Sequence, residues 1–168
     1  QQGRYHQAVS FLDKAIDLAD SPEKYLENLG NIHQANQQWT KAKQSWVNAL
    51  EHNGKSADLH YKIGLAAIAK QDKIAAEKWW ILAIECDPNH CDSLINLGML
   101  KAEEDKYDEA MSRWESARKI STTNMRLNEL MTNAQIELAK SALMDNNGKS
   151  AEKYMKKACR RTPKNAEC

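Results

Sequence analysis

Alanines recur in this chain every 34 residues, and a large apolar residue follows each one four positions later. Ala8 precedes Leu12, Ala42 precedes Trp46, Ala76 precedes Trp80 and Ala110 precedes Trp114. A second alanine stands seven after the first, at Ala15, Ala49, Ala83 and Ala117, and Gly30, Gly64 and Gly98 keep the same interval upstream. Four columns on one period constrain the fold more tightly than composition does, because self-similarity at this length marks stacked-repeat architectures. Spacings of four and seven within a unit are those of one helix face. Each unit therefore reads as two amphipathic helices. The glycines fall inside the first helix, where glycine costs about 1 kcal/mol against alanine, a cost offset by close approach of a neighbour. The large residue of the second helix is expected to fill space toward the next unit. One helix pair cannot bury both its faces, so the units must stack.

The register also sets expected boundaries. Residues 4–19 read as a lone second helix, with Tyr5, Ala8, Leu12 and Ala15 in column. Three full repeats are expected over 23–56, 57–90 and 91–124. Position 144 is then Met where alanine is due, and a shift of seven residues restores the pattern. Leu138 and Ala139 stand for Leu-Gly, followed by Ala151, Met155, Ala158 and Pro163. A last repeat over 132–165 is expected, after a seven-residue insertion, 125–131. Seven residues make about two helical turns, so the insertion should lengthen a helix to about 124–145. The whole is expected to be a single domain. The chain opens in mid-pattern with "QQGRYHQAVSFL", which reads as a fragment of something longer or a mature form. "NGKSA" occurs at 53–57 and 147–151, off the period. Both copies read as a turn followed by serine at a helix N-cap.

The pattern resembles the tetratricopeptide repeat, which carries Leu-Gly in its first helix, Ala-x-x-x-aromatic in its second and often proline in the joint. The matching stretches are "LENLGNIHQANQQWTKAKQSWVNAL", "HYKIGLAAIAKQDKIAAEKWWILAIECDP" and "LINLGMLKAEEDKYDEAMSRWESA". The resemblance covers nearly the whole chain. It implies an all-α, right-handed α-solenoid of stacked antiparallel helix pairs. It also implies a non-enzymatic scaffold or adaptor that binds a peptide or amphipathic helix of a protein partner, in the assembly of a larger complex. In that family the first helices line a concave groove. By column, the groove implied here takes Asn31, Gln34 and Ala35, then Asp58, Tyr61, Lys62, Leu65 and Ile68, then Asp92, Ile95, Asn96, Met99 and Glu103. Leu65, Ile68, Ile95 and Met99 form an apolar strip, readable as a ligand surface or as the core of a tightly wound solenoid. Some members clamp C-terminal carboxylates with Lys, Asn, Asn, Lys and Arg. The corresponding columns hold Glu27, Asn31, Lys62, Asp92 and Asn96. Only Asn31 matches, and acids in place of cations would repel a carboxylate. An apolar or amphipathic segment fits better.

"KWWILAIECDPNHC", residues 78–91, has the residue types of a site. Trp80 shares the core column of Trp46 and Trp114, while Trp39 shares its column with Tyr5 and Tyr107. Trp79 stands with Ser45 and Arg113 and reads as a half-covered surface ring or an interface anchor. Cys86, His90 and Cys91 lack a fourth ligand and the usual zinc spacing, so no metal is expected. Cys86 with Cys91, and Cys159 with Cys168, are two close pairs and candidates for disulfides. Oxidised pairs would place the chain in the periplasm or another extracytoplasmic space, reduced ones in the cytoplasm. Cys86 takes an apolar column of the family and is expected buried, with Cys91 exposed. His33 and His60 fall at packing columns and read as structural rings. No nucleophile with a base, no phosphate loop and no haem motif is visible, so neither catalytic residues nor a cofactor are expected.

Charge is balanced, 24 basic against 23 acidic residues, so no overall field favours nucleic acid. The apolar runs fall far short of the roughly 20 residues that span a bilayer. "KSAEKYMKKACRRTPK" carries seven cations. These suit a helix C-terminus and the polar end of a solenoid, with binding of an anionic surface or nucleic acid as the weaker reading. The runner-up function is self-association, burying the open helix 4–19 against another chain.

Overall fold

Four chain reversals use the same backbone device. Gln37, Gln71, Asp105 and Asn146 have φ of 58°, 61°, 59° and 54°. Just after each, an N–H returns to a carbonyl five residues back. Gln38 reaches His33, Asp72 reaches Ala67, Lys106 reaches Lys101 and Asn147 reaches Ala142, at 2.9, 3.0, 2.9 and 2.8 Å. This is the Schellman closure of a helix C-terminus, reached here without glycine.

The computed structural model describes residues 2–52 and 55–161. Its helices are α1 (Gln2–Leu18), α2 (Glu23–Ala35), α3 (Trp39–His52), α4 (Ala57–Ala69), α5 (Lys73–Cys86), α6 (Cys91–Glu103), α7 (Tyr107–Ile120), α8 (Met125–Met144) and α9 (Gly148–Arg161). The described residues include no strand. The fold is all-α, built of antiparallel helix pairs of the α-solenoid class. Pro163 and Cys168 lie outside the described residues. Where a single domain is expected, the chain divides into two compact units, Gln1–Pro88 and Asn89–Cys168. The division falls in the "CDPNHC" joint.

Side-chain caps open several helices. Ser56 Oγ accepts from the Leu59 N–H at 3.2 Å, Asp72 Oδ1 from Ala75 at 2.9 Å and Asn124 Oδ1 from Leu127 at 3.0 Å. Each satisfies a first-turn donor that has no partner within the helix. The second "NGKSA" departs from expectation. Its cap is Asn147, whose Oδ1 accepts from the Ser150 N–H at 3.1 Å, and Ser150 lies inside α9. The reason is local. Asn146 already completes the reversal, so the chain enters the helix directly after Asn147, three residues before the serine.

The first unit packs Leu26, Ala42, Trp46, Ala49, Leu59, Ile63 and Ala66 into one core, with Ile16, Trp39 and Trp79 among its partly buried flanks. The glycine column explains how the helices of a pair come so close. A Cβ at Gly30, Gly64 or Gly98 would lie 2.3 Å from Nε1 of Trp46, Trp80 or Trp114 respectively. Each indole therefore lies against the bare backbone of its own first helix. The large residue does not only face the next unit, as expected. It fills its own pair first, and Trp46 also joins the core that Leu59 and Ile63 of the following repeat complete. In the second unit, α8 has 20 residues where α2, α4 and α6 have 13 each. Its closing turn at Asn146 consequently falls 41 residues after that at Asp105.

Candidate functional site

In the first unit, α2 and α4 are neighbouring first helices. Lys62 Nζ of α4 meets Glu27 Oε1 of α2 at 2.6 Å. A partly exposed pair of this kind adds little stability, but it cancels two charges on the shared face. Asn31 lies one turn beyond Glu27 on α2. Its Oδ1 is shielded from solvent and has no hydrogen-bond donor; such an acceptor costs about 1–3 kcal/mol. On α4, the Tyr61 carbonyl accepts from Trp80 Nε1–H at 3.2 Å, and the two rings lie 6.5 Å apart. Leu65 is half-buried and Ile68 is 36% exposed. Gln34 is half-buried, while Ala35 and Asp58 are exposed. The first unit thus presents Asn31, Gln34, Tyr61, Lys62, Leu65 and Ile68 on two adjacent helices, with Lys62 committed to Glu27.

The second unit places its share of the expected groove differently. Ile95 is buried, and its carbonyl accepts from Trp114 Nε1–H at 3.0 Å. It is a core residue, and this corrects its place in the apolar strip: the column that carries it turns inward at α6. Asn96 and Met99 are half-buried, and Met99 Sδ lies 3.5 Å from Arg126 Nη2 of α8. Asp92 and Glu103 are exposed. Met99 is therefore a surface residue beside a guanidinium, and Leu65 with Ile68 supply the apolar part of the face in the first unit.

The tryptophan and cysteine stretch is a joint. Trp79 is half-buried, and its ring lies 5.7 Å from that of His60. His60 is buried and its Nδ1–H donates to the Ser56 carbonyl at 2.7 Å. Cys86 and Cys91 are free thiols, exposed and half-buried respectively. This reverses the expected burial, and the bridge between them is not formed. Cys86 closes α5 with Sγ 3.9 Å from His60 Nδ1, whereas Cys91 opens α6 with Sγ 3.9 Å from the Ala117 carbonyl. Burial, with Asp92 adding to it, pushes the Cys91 thiol pKa up. His90 accepts from the Ser93 N–H at 3.2 Å and so caps α6. Cys159 is disulfide-bonded. Among the described residues, no group of three or more His, Cys, Asp or Glu is placed to hold a metal ion, and no helix is long and apolar enough to cross a membrane.

A small polar network that sequence columns did not disclose joins α1 to α2. Tyr5 OH donates to Gln38 Oε1 at 2.7 Å, so its oxygen accepts from His33 Nδ1–H at 3.0 Å. Burial lowers the His33 pKa, Lys41 lowers it further and Asp13 opposes them.

The Tetratricopeptide repeat family model matches residues 82–111. Tetratricopeptide repeat protein 8 of Caenorhabditis elegans is 33% identical over 117 residues, 68% of this chain and 23% of that protein. The chain thus spans under a quarter of that relative's length. The crystal structure of MamA superposes with a TM-score of 0.74 over 99% of this chain and 94% of that one, at 21% identity. YrrB, described as a TPR protein with an unusual peptide-binding site, gives 0.69 over 97% of this chain and 80% of that one, at 21% identity. At such identities the solved structures establish the fold.

Proposed function

From the premise that this chain belongs to the tetratricopeptide repeat family, we propose that it is a protein-interaction scaffold whose α2–α4 face holds an apolar or amphipathic peptide segment. One observation carries the reading. Asn31 Oδ1 is a shielded acceptor without a donor, on the face that also bears the half-covered Leu65 and Ile68. A turn of the half-buried Asn31 side chain would bring this acceptor to a main-chain N–H of an incoming segment, whose apolar side chains cover the leucine and isoleucine. The Glu27–Lys62 pair at 2.6 Å removes Lys62 as a free anchor for a C-terminal carboxylate. The peptide-binding site ascribed to YrrB supports the reading by analogy of fold.

Random peptides of helical and extended type, selected by display on the folded chain, test it. Selected binders should lose at least about tenfold in affinity on Leu65→Asp, a difference of ~1.4 kcal/mol, and should be nearly indifferent to salt. Unchanged binding to a folded Leu65→Asp variant would exclude this face.

We also propose self-association as a second reading, favoured by α1. Phe11 and Leu18 are 72% and 87% exposed. Ala8, Leu12 and Ala15 are only half-buried, where Ala42, Trp46 and Ala49 are fully buried. Sedimentation of the chain over a hundredfold concentration range decides it: a mass that rises with concentration, and ceases to rise in Phe11→Ser/Leu18→Ser, supports this reading. A monomer throughout removes it.

A further inference from the structure

The second unit contains a pocket of about 230 Å³ between α7, α8 and α9. Its lining includes Asp108, Ser112 and Glu115 of α7, Gln135 of α8, and Tyr154 and Lys157 of α9. It is smaller than the roughly 300–1,000 Å³ of a cofactor or drug-like site and suits one long side chain. Gln135 is the unusual member. It occupies the column of Leu26, His60 and Leu94, counting the seven-residue shift of α8. Leu26 and Leu94 are apolar core residues there, and His60 satisfies its ring through Ser56. Gln135 is 1% exposed, and its Oε1 has no donor. An unpaired buried acceptor destabilises the fold, and leucine at this column would avoid that.

The surroundings indicate which donor belongs there. Asp108 and Leu138 also line an adjoining cleft of about 590 Å³, which adds Asp105, Glu109 and Glu137 against Lys106 and Lys140. Tyr107 OH donates to Asp105 Oδ1 at 3.0 Å, and that bond, then burial and the charges of Asp105 and Glu137, raise the phenol pKa. Acids outnumber lysines four to two in this cleft, an excess opposed on the α9 side by Lys149, Lys153, Lys156 and Arg160. Lys157 on the α9 side, and Arg161, whose Nη2 lies 4.0 Å from Glu115 Oε1, temper it.

We propose that this pocket takes the guanidinium of an arginine from a partner protein segment. Gln135 Oε1 accepts at the floor, and Asp108 and Glu115 flank the charge. The planar fork of arginine offers five donors to such a divided set of acceptors and is less strongly hydrated than an ammonium. The site lies wholly in the second unit and is independent of the α2–α4 face.

The test uses the folded chain and two capped peptides, Gly-Arg-Gly and its neutral isostere with citrulline in place of arginine. The arginine peptide should shift the Gln135 side-chain amide resonance and bind roughly 10- to 100-fold more tightly than the citrulline peptide, as for a charge-assisted bond. Gln135→Leu should keep the fold, with equal or higher thermal stability, and lose that binding. Glu115→Gln, at an exposed position, should weaken it. Lys157→Ala should strengthen it by roughly two- to fivefold, because a like charge is removed. Equal binding of the two peptides overturns the proposal. So does undiminished binding to folded Gln135→Leu, or weakened binding to Lys157→Ala.

Discussion

In the first three repeats a bare glycine backs onto an indole, while in the fourth Ala139 and Met155 occupy the same two columns. The indoles are almost fully buried, with Trp46, Trp80 and Trp114 at 0%, 3% and 1% exposure, but Met155 is only half-buried. The two columns thus behave as one unit of packing. A methyl added on the first helix has to be matched by a slimmer, more flexible partner on the second, and unbranched methionine adapts to irregular space. Packing is fully specified in the first three repeats and leaves room in the fourth. The tightly interlocked pairs hold the helices that carry the proposed peptide face. The looser fourth repeat has a longer first helix, a glutamine in a leucine column and a pocket beside it.

The comparison breaks most visibly by truncation. Trp114→Ala should cost about 3–5 kcal/mol in urea denaturation, whereas Met155→Ala, already half-exposed, should cost under about 2. Equal losses would mean that the fourth repeat is packed as tightly as the third. Next in size is the added methyl. Gly98→Ala places a Cβ 2.3 Å from Trp114 Nε1. It should cost about 1–3 kcal/mol although helix propensity favours alanine by about 1 kcal/mol. Gly98→Ala/Trp114→Met imports the fourth repeat's solution, and the cycle should show a favourable coupling above about 0.5 kcal/mol. Additive losses would show that the columns are not paired.

Smaller effects lie at the turns. Gln71 has φ of 61°, so Gln71→Gly should gain a few tenths to about 1 kcal/mol, the relief of strain less glycine's unfolded-state entropy. Asn146→Gly should gain less, since asparagine tolerates this conformation. A thermal melt of both variants compares the regular turn with the displaced one. The smallest effect concerns α1. The His33 pKa is lowered in the fold, against an ordinary value of about 6.5. Its contribution is therefore complete above pH 6.5 and is lost as pH falls toward the lowered value, because the unfolded chain takes up the proton first. Amide exchange in α1 should speed up between pH 7.5 and 5.5 relative to α3, once corrected for intrinsic rates. His33→Gln should remove that difference.

Much of this architecture was legible because the period reports faces. Ala42, Ala76 and Ala110 mark one face, and all three are fully buried. A column does not report depth or the fate of polar atoms. The column of Ile95 lies four positions, about one helical turn, before that of Leu65, yet only Ile95 is buried. Cys86 fell on the wrong side because it ends α5, where the chain turns away and no further helical turn covers it. The second "NGKSA" misled because capping depends on where the preceding turn is completed, not on which residue favours a cap. The unpaired oxygens of Asn31 and Gln135 are invisible without neighbours. A glutamine standing in a leucine column was the only hint of the second.

The central functional claim is that the α2–α4 face of the first unit receives a peptide. Its most direct test is an amide-resonance titration of the isotope-labelled chain with a peptide selected on it. Saturable shifts are expected, centred on Asn31 and the Tyr61–Ile68 stretch, with the Asn31 side-chain amide among the largest. Shifts that leave both helices unmoved while the peptide binds elsewhere would contradict it.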